Sequence, residues 1–320
     1  MTTHHIKNKL KVEFNKFLKS ITDDKIKALI KENAIITGGA IASMFYDELV
    51  NDYDVYFKSK SATVEIAQYF INQFKKEIQK FIKDNNIKDT DIIKHQLNIY
   101  CTEAIGGVKV VIPSVGIVTL DTFEKYKYFE RSTTAENDIS EILDPTAEGV
   151  IISAKAKKEK NVYIPLCISQ NAITLSDKFQ LILRFVGEPA EIHKNFDFVH
   201  STNYWIASTN ELILNKDALE SLLTKKLKYV GSLYPLATLF RVRKFLKRGF
   251  NIHAGELIKI GFQINDLDLN DMEVLMDQLT GVDMAYLMEL IEEVKKEHEN
   301  DKNFKVTSLY ICELVDKIFD

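Results

Sequence analysis

The sequence predicts an α+β protein: a mixed sheet with flanking helices, a strand-rich middle, and an all-helical C-terminal domain. Three observations carry this. Residues 1–30 repeat apolar side chains at helical spacing. The middle third is a succession of short β-branched and aromatic runs between polar or Gly/Pro turns. After Leu212 helical spacing returns. At 320 residues the chain has room for two domains with separate cores. We expect a head over 1–212, elaborated by a strand-rich insertion over roughly 60–170, and a helical domain over 213–320.

Each element follows from its pattern. Ile6, Leu10, Phe14, Phe17, Leu18 and Ile21 make one helical stripe, and Ile26, Leu29 and Ile30 a second. "AIIT" is a buried strand stopped by Gly38-Gly39. "AIASMFYDELV" is the helix after it, and "YDVYF" the next strand. Residues 62–82 form a long amphipathic helix through Val64, Ile66, Ala67, Phe70, Ile71, Phe74, Ile78 and Phe81. "QLNIYC", "VKVVIP", "GIVTL", "GVIISAKA", "NVYIPLCI", "AITL" and "FQLILRFV" are strands. The helices of the second domain are "DALESLLTKKL", "YPLATLFRVRKFLKRG", "NDMEVLMDQL", "DMAYLMELIEEVKK" and "TSLYICELVDKIF", the last three starting at Asp271, Asp283 and Thr307.

A 46% hydrophobic, 28% charged composition is that of a globular protein, and no apolar run is long enough to span a bilayer. The N-terminus lacks the apolar stretch of a secretory signal. Cys101, Cys167 and Cys312 are scattered, which indicates neither a disulfide framework nor a zinc site. The chain reads as cytoplasmic. A net charge of -4 argues against a protein that coats nucleic acid with its whole surface, yet Lys225, Lys226, Lys228, Arg241, Arg243, Lys244, Lys247 and Arg248 fall in a stretch, 221–250, that holds no acid.

The chemistry-bearing stretch is "TGGAIASMFYDELVNDYDVYF". On a strand, residues i and i+2 face the same side, so Asp52 and Asp54 aim two carboxylates at one place while Tyr53, Val55 and Phe57 face the core. Paired carboxylates suit magnesium, and two such ions neutralise the charge that develops when a nucleotide moves onto a hydroxyl. Gly38 and Gly39 let backbone approach phosphates at a helix N-terminus, and Ser43 adds a hydroxyl about one turn further on. A glycine pair alone is a common turn, and an Asp-x-Asp alone is common where a strand begins. Their order is the signal.

"GGAIAS" followed by "NDYDVYF" resembles the signature of the polymerase-β-like nucleotidyltransferase superfamily: a glycine pair at a strand–helix turn, then acid-hydrophobe-acid on the next strand. The resemblance implies a nucleotidyltransferase-type sheet, two Mg2+ ions, an NTP substrate and a third carboxylate on a later strand. The candidate for that third acid is Asp197, in "KNFDFVHS", whose flanking Phe196 and Phe198 call for burial. A structural ion pair with Arg184 is the alternative reading of Asp197. Asp121 and Asp177 end strand-like runs among polar turn residues and need no metal. His193 and His200 bracket Asp197 without zinc-ligand spacing.

"YPLATLFRVRKFLKRGFNI" is similar to the helix after the catalytic head in the tRNA nucleotidyltransferase and bacterial poly(A) polymerase branch. That resemblance implies that Arg241 and Lys244 hold the nucleotide, although Lys244 lacks the bidentate fork of an arginine. It also implies an RNA 3′ end as acceptor, held by the basic helices of 221–250. The whole chain also resembles phage-encoded relatives of the superfamily. The expectation is a Mg-dependent nucleotidyltransferase moving NMP from NTP to a hydroxyl, with metal ligands Asp52, Asp54 and Asp197 and a phosphate cradle of Gly38, Gly39 and Ser43. Two alternatives stay open: a non-catalytic RNA- or partner-binding protein with the same fold, and a toxin-like nucleotidyltransferase modifying tRNA or protein.

Overall fold

The computed structural model describes residues 2–84, 99–111, 117–119, 163–169 and 171–269, with 271, 274 and 278. The proposed strand "GVIISAKA", Asp121, Cys312 and the helices begun at Asp283 and Thr307 lie outside the described residues. The chain divides into two compact units, and the described part of the first ends at Thr224.

The first unit is an α+β layer structure. Helix α1 (Thr3–Ser20) and helix α2 (Asp24–Asn33) open it. The Asp23 carboxylate accepts from the N–H groups of Lys25 and Ile26, the donors a helix start leaves without intrahelical partners. Then come strand β1 (Ala34–Thr37), helix α3 (Gly39–Phe45), strand β2 (Tyr53–Phe57) and the long helix α4 (Lys60–Asp84). Helix α3 is shorter than its sequence promised. The chain leaves it at Tyr46, and Asp47 takes a left-handed φ of 56° that ends helical progression.

The hairpin of β3 (Tyr100–Ala104) and β4 (Gly107–Val111) follows, then β5 (Ile117–Thr119), β6 (Pro165–Ser169), β7 (Ala172–Leu175) and β8 (Phe179–Val186). Asp177 and Lys178, both at positive φ, make the tight turn between β7 and β8, which gives Asp177 a turn role. Short helix α5 (Pro189–His193), strands β9 (Tyr204–Ile206) and β10 (Glu211–Ile213), and helix α6 (Lys216–Thr224) complete the unit.

Eight strands form one sheet in the order β10-β9-β1-β2-β8-β7-β6-β5. Among the described residues, only β2 and β8 pair in parallel within it. Alternation along the strands gives the sheet two different faces. Ala34, Ile36, Tyr53, Val55, Phe57, Phe179, Leu181 and Trp205 join the apolar side chains of α1, α2 and α4 in the main core. Phe14 meets Trp205 edge-on at 5.2 Å, and Phe17 stacks on Phe179 at 5.0 Å. The opposite face holds a smaller cluster of Ile35, Tyr56 and Ile192, with Phe196 and Tyr204 against it. The β3–β4 hairpin stands on β8 so tightly that a Cβ at Gly107 would lie 2.0 Å from the Arg184 carbonyl oxygen.

The described part of the second unit holds helix α7 (Pro235–Lys247) and helix α8 (Ala254–Asn265). It departs from the all-helical expectation through a two-residue parallel ladder, Lys226–Leu227 (β11) with Asn251–Ile252 (β12). Gly249, at φ 81°, turns the chain back at the end of α7 and so brings these segments together. The buried face of α7 is set by Thr238, Val242 and Phe245, spaced i, i+4, i+7, whereas Leu239 and Leu246 are exposed.

Candidate functional site

The site grows from register. Pairing of Ile36 with Val55, carried one residue further, sets Thr37 opposite Asp54. Thr37 pairs with Tyr204 on the other side, Asp54 with Gln180, and Gln180 with Thr174. Partnered residues on adjacent strands point to the same face. Tyr204, Thr37, Asp54, Gln180 and Thr174 therefore form a polar row across five neighbouring strands. One step along the strands, the same face is apolar and covered: Phe196 lies 5.8 Å from the Tyr56 ring, and Ile192 is buried beside Ile35 and Tyr56. Within the polar row Tyr204, Asp54 and Gln180 are half-buried, whereas Thr37 and Thr174 are buried.

Gly38 sits at the end of the row. Its φ of 92° and ψ of -147° form a conformation that only glycine adopts readily. A Cβ there would lie 3.2 Å from Asp54 Oδ2, so this carboxylate rests directly against the glycine. The Gly38 N–H donates to the Ser201 carbonyl at 3.1 Å, which ties the turn to the segment before β9. Gly39 is exposed, and a Cβ on it would meet open space. Asp52 lies just before β2, two residues from Asp54 and half-buried like it. Ser43 is buried at 8% exposure within α3.

Thr37 fixes the chemistry of His193. Its hydroxyl is buried and lies 2.9 Å from the Asn203 carbonyl, 3.3 Å from that of Ser201, and 2.9 Å from His193 Nε2. A hydroxyl has one proton, and carbonyls only accept. Thr37 therefore donates to the carbonyls and accepts from His193, whose proton is on Nε2. The ring packs 5.0 Å from Phe196 and 5.5 Å from Tyr204. Burial lowers its pKa to about 4, so it is neutral at physiological pH. The spacing of His193 and His200 carried no hint of this. The hydrogen-bond partner comes from β1, far away in sequence.

The centre expected from Asp52, Asp54 and Asp197 does not form as a three-acid group. Among the described residues no three Asp, Glu, His or Cys side chains come together to hold an ion. Asp197, 7% exposed, belongs to the loop between α5 and the 3-10 turn Val199–Ser201. Beside Asp54, on the parallel strand, stands Gln180. The sequence signal for Gln180 was the alternation in "FQLILRFV", which puts Phe179, Leu181 and Leu183 on the core side and Gln180 on the other. Two carboxylates still fit magnesium, which takes one or two of them and completes its shell with substrate phosphates and water.

Arg241 and Lys244 lie on α7 in the second unit. The fold gathers the basic run there: the Lys225 ammonium donates to the Arg248 carbonyl at 3.4 Å, at the negative end of the helix dipole. No helix among the described residues is long and apolar enough to cross a membrane.

A family model described as Gad2, Gabija anti-defense 2 family protein, matches residues 8–225, nearly the whole first unit and every residue of the polar row. The chain is also similar to "Gabija anti-defense 2" of Bacillus phage SPbetaL7, with 22% identity over 310 residues. That match takes in 96% of this chain and 54% of the relative, so the chain spans about half the relative's length. These matches overturn the assignment to the polymerase-β-like nucleotidyltransferase superfamily and its tRNA nucleotidyltransferase and poly(A) polymerase branch. The Gly-Gly and Asp-x-Asp signature covers only a short stretch, whereas the family match spans the whole sheet. With more than half of its length accounted for in this way, the chain belongs to the Gabija anti-defense 2 family.

Proposed function

We propose that this chain counters Gabija defence, and that it does so by magnesium-dependent transfer of a nucleotidyl group from an NTP to a hydroxyl. The observation that carries the chemistry is the contact of Gly38 with Asp54: a side-chain-free turn held against a carboxylate, open at Gly39. Asp52 and Asp54 would hold magnesium. The ion would supply a Lewis acid for the reacting phosphate and neutralise the leaving pyrophosphate. The glycine turn excludes side-chain bulk where phosphate oxygens approach, and its N–H to Ser201 keeps its shape. His193, neutral and bonded through Nε2, holds Thr37 and with it the last residue of β1. The acceptor we assign is an RNA hydroxyl, on the strength of the basic run from Lys225 to Arg248.

One observation favours a second reading. Two neighbouring carboxylates, with no three-acid group among the described residues, are also what a non-catalytic protein that blocks a partner would carry. A single experiment separates the two. Cells carrying Gabija express the wild-type chain or the Asp52→Asn/Asp54→Asn double variant and are challenged with a Gabija-sensitive phage. In parallel the purified proteins are incubated with magnesium, labelled NTPs and RNA. Catalysis predicts that rescue of plaquing and label transfer vanish together in the double variant. Full rescue by a folded double variant, with no transfer by either protein, establishes the blocking mode.

A further inference from the structure

We propose that Lys178 is a positioning residue: it holds Asp52 in line with Asp54, so that one short stretch of backbone, from Lys178 to Gln180, sets both carboxylates. The proposal rests on the nucleotidyl-transfer reading for what the two carboxylates do. The clamp itself stands on two hydrogen bonds and a backbone angle.

Asp54 is set by the sheet. It pairs with Gln180 on β8, and Tyr53 pairs with Phe179 one rung earlier. Asp52 comes before the first of these rungs, so the alternation that would aim it beside Asp54 has no ladder to enforce it. Asn51 is exposed and Asp52 half-buried, and neither side chain joins the core. Lys178 takes over here from both sides. Its carbonyl accepts the Tyr53 N–H at 2.7 Å, and its ammonium donates to the Val50 carbonyl at 2.8 Å. Val50 is only 4% exposed, and a charged donor makes a stronger bond than a neutral one. The chain is thus fastened two residues before Asp52 and one residue after it, both times to Lys178.

The turn alone does not account for a lysine at this position. Lys178 closes the connection from β7 to β8 with a φ of 68°, next to Asp177 at 58°. Glycine takes such an angle without steric cost and is the usual occupant of such a place in a tight hairpin. Lysine bears the strain, and what glycine could not supply is the bond to Val50. Residues held at such angles cluster at functional sites.

Lys178→Gly separates the two roles of the residue, because it suits the turn and removes the ammonium. Lys178→Met keeps the apolar stem without the donor, and Lys178→Arg keeps a charged donor. Wild type and these variants are compared by hydrogen exchange over residues 47–54 and by the transfer assay with magnesium, labelled NTPs and RNA. Trp205 emission checks folding. Lys178→Gly and Lys178→Met should stay folded and exchange about fivefold faster across the segment, the scale of one lost hydrogen bond. They should transfer label about tenfold more slowly or worse, since misplacing a reacting group by about 1 Å can cost about a hundredfold. Lys178→Arg should restore both. A residue that merely fills the turn predicts the opposite order, with Lys178→Gly the best-behaved variant. Folded Lys178→Gly and Lys178→Met proteins that exchange like wild type overturn the clamp. A loosened segment with undiminished transfer overturns its role in positioning Asp52. If the segment loosens and arginine restores it while wild type transfers no label, the clamp on Asp52 is upheld and the nucleotidyl-transfer reading fails instead.

Discussion

Gly38 and Asp54 meet across the β1–β2 pair with no room between them: a Cβ on the glycine would lie 3.2 Å from the carboxylate oxygen. Gly39, the next residue, faces open space. The two glycines of one pair therefore have different reasons to exist. Gly38→Ala must bear both a backbone conformation costing about 1–3 kcal/mol and a displaced Asp54. Gly39→Ala has no contact to lose. We expect Gly38→Ala to lower the urea midpoint clearly and to abolish the counter-defence we propose even where the protein stays folded. Gly39→Ala should leave the unfolding free energy within about 0.5 kcal/mol of wild type. If Gly39→Ala nevertheless loses function, the open space beside it is where the ligand lies.

His193 makes stability depend on pH. Burial holds its folded pKa near 4, below the ordinary value of 6.5. Between these values the unfolded chain binds the proton and the folded protein does not, so stability rises with pH across that window. The contribution is fully present above about 6.5 and fades as pH falls toward 4. Urea midpoints at pH 7.0, 6.0 and 5.0 should fall steadily for wild type. His193→Gln, which keeps a side-chain N–H donor but cannot titrate, should have a flatter profile over the same range. Equal slopes for the two proteins would remove His193 from the account.

Much of the sheet was legible in the sequence because its strands are written as apolar runs. "AITL" and "FQLILRFV" coincide with β7 and β8 residue for residue, and "YDVYF" with β2. Strands β9 and β10 escaped because each has only three residues, and their pairing with β1 comes from the far end of the unit. The candidate site was half legible. Asp52 and Asp54 announce themselves by spacing, and Gly38 by its place after a strand. Thr37 did not, because a polar residue at the end of an apolar strand looks like a solvated face until register shows what stands beside it. Asp197, the expected third acid, is buried as its aromatic neighbours implied, but it lies on the loop after α5 rather than on a later strand.

The β3–β4 hairpin is pinned to the sheet by the absence of a side chain. A Cβ at Gly107 would lie 2.0 Å from the Arg184 carbonyl oxygen and 2.4 Å from its carbon, both backbone atoms that cannot swing aside. At Gly106 the nearest atom is 4.0 Å away, although its φ of 82° still disfavours a side chain. Gly107→Ala should lift the hairpin from β8 and break the Val186 N–H to Gly106 carbonyl bond, now 3.1 Å long. Hydrogen exchange should show faster exchange at Val186 and along residues 100–111. Unchanged protection there would mean that the hairpin can shift along β8 without loosening.

Trp205 gives the core a built-in reporter, since it is the one tryptophan of the chain. It is 1% exposed, packs edge-on to Phe14 at 5.2 Å, and donates from Nε1 to Asn210 Oδ1 at 3.1 Å. Phe14 is itself buried on the inward stripe of α1, so Phe14→Ala removes a ring from the junction of α1 with β9. Such truncations cost about 3–5 kcal/mol, a large share of a typical domain's stability. We expect a red shift of Trp205 emission and a lowered unfolding midpoint. Val12→Ala, on the same helix but 51% exposed, should change neither. If the Val12 variant shifted the emission as much as the Phe14 variant, α1 would not pack on β9 through Phe14, and the cover of the main core would have to be redrawn.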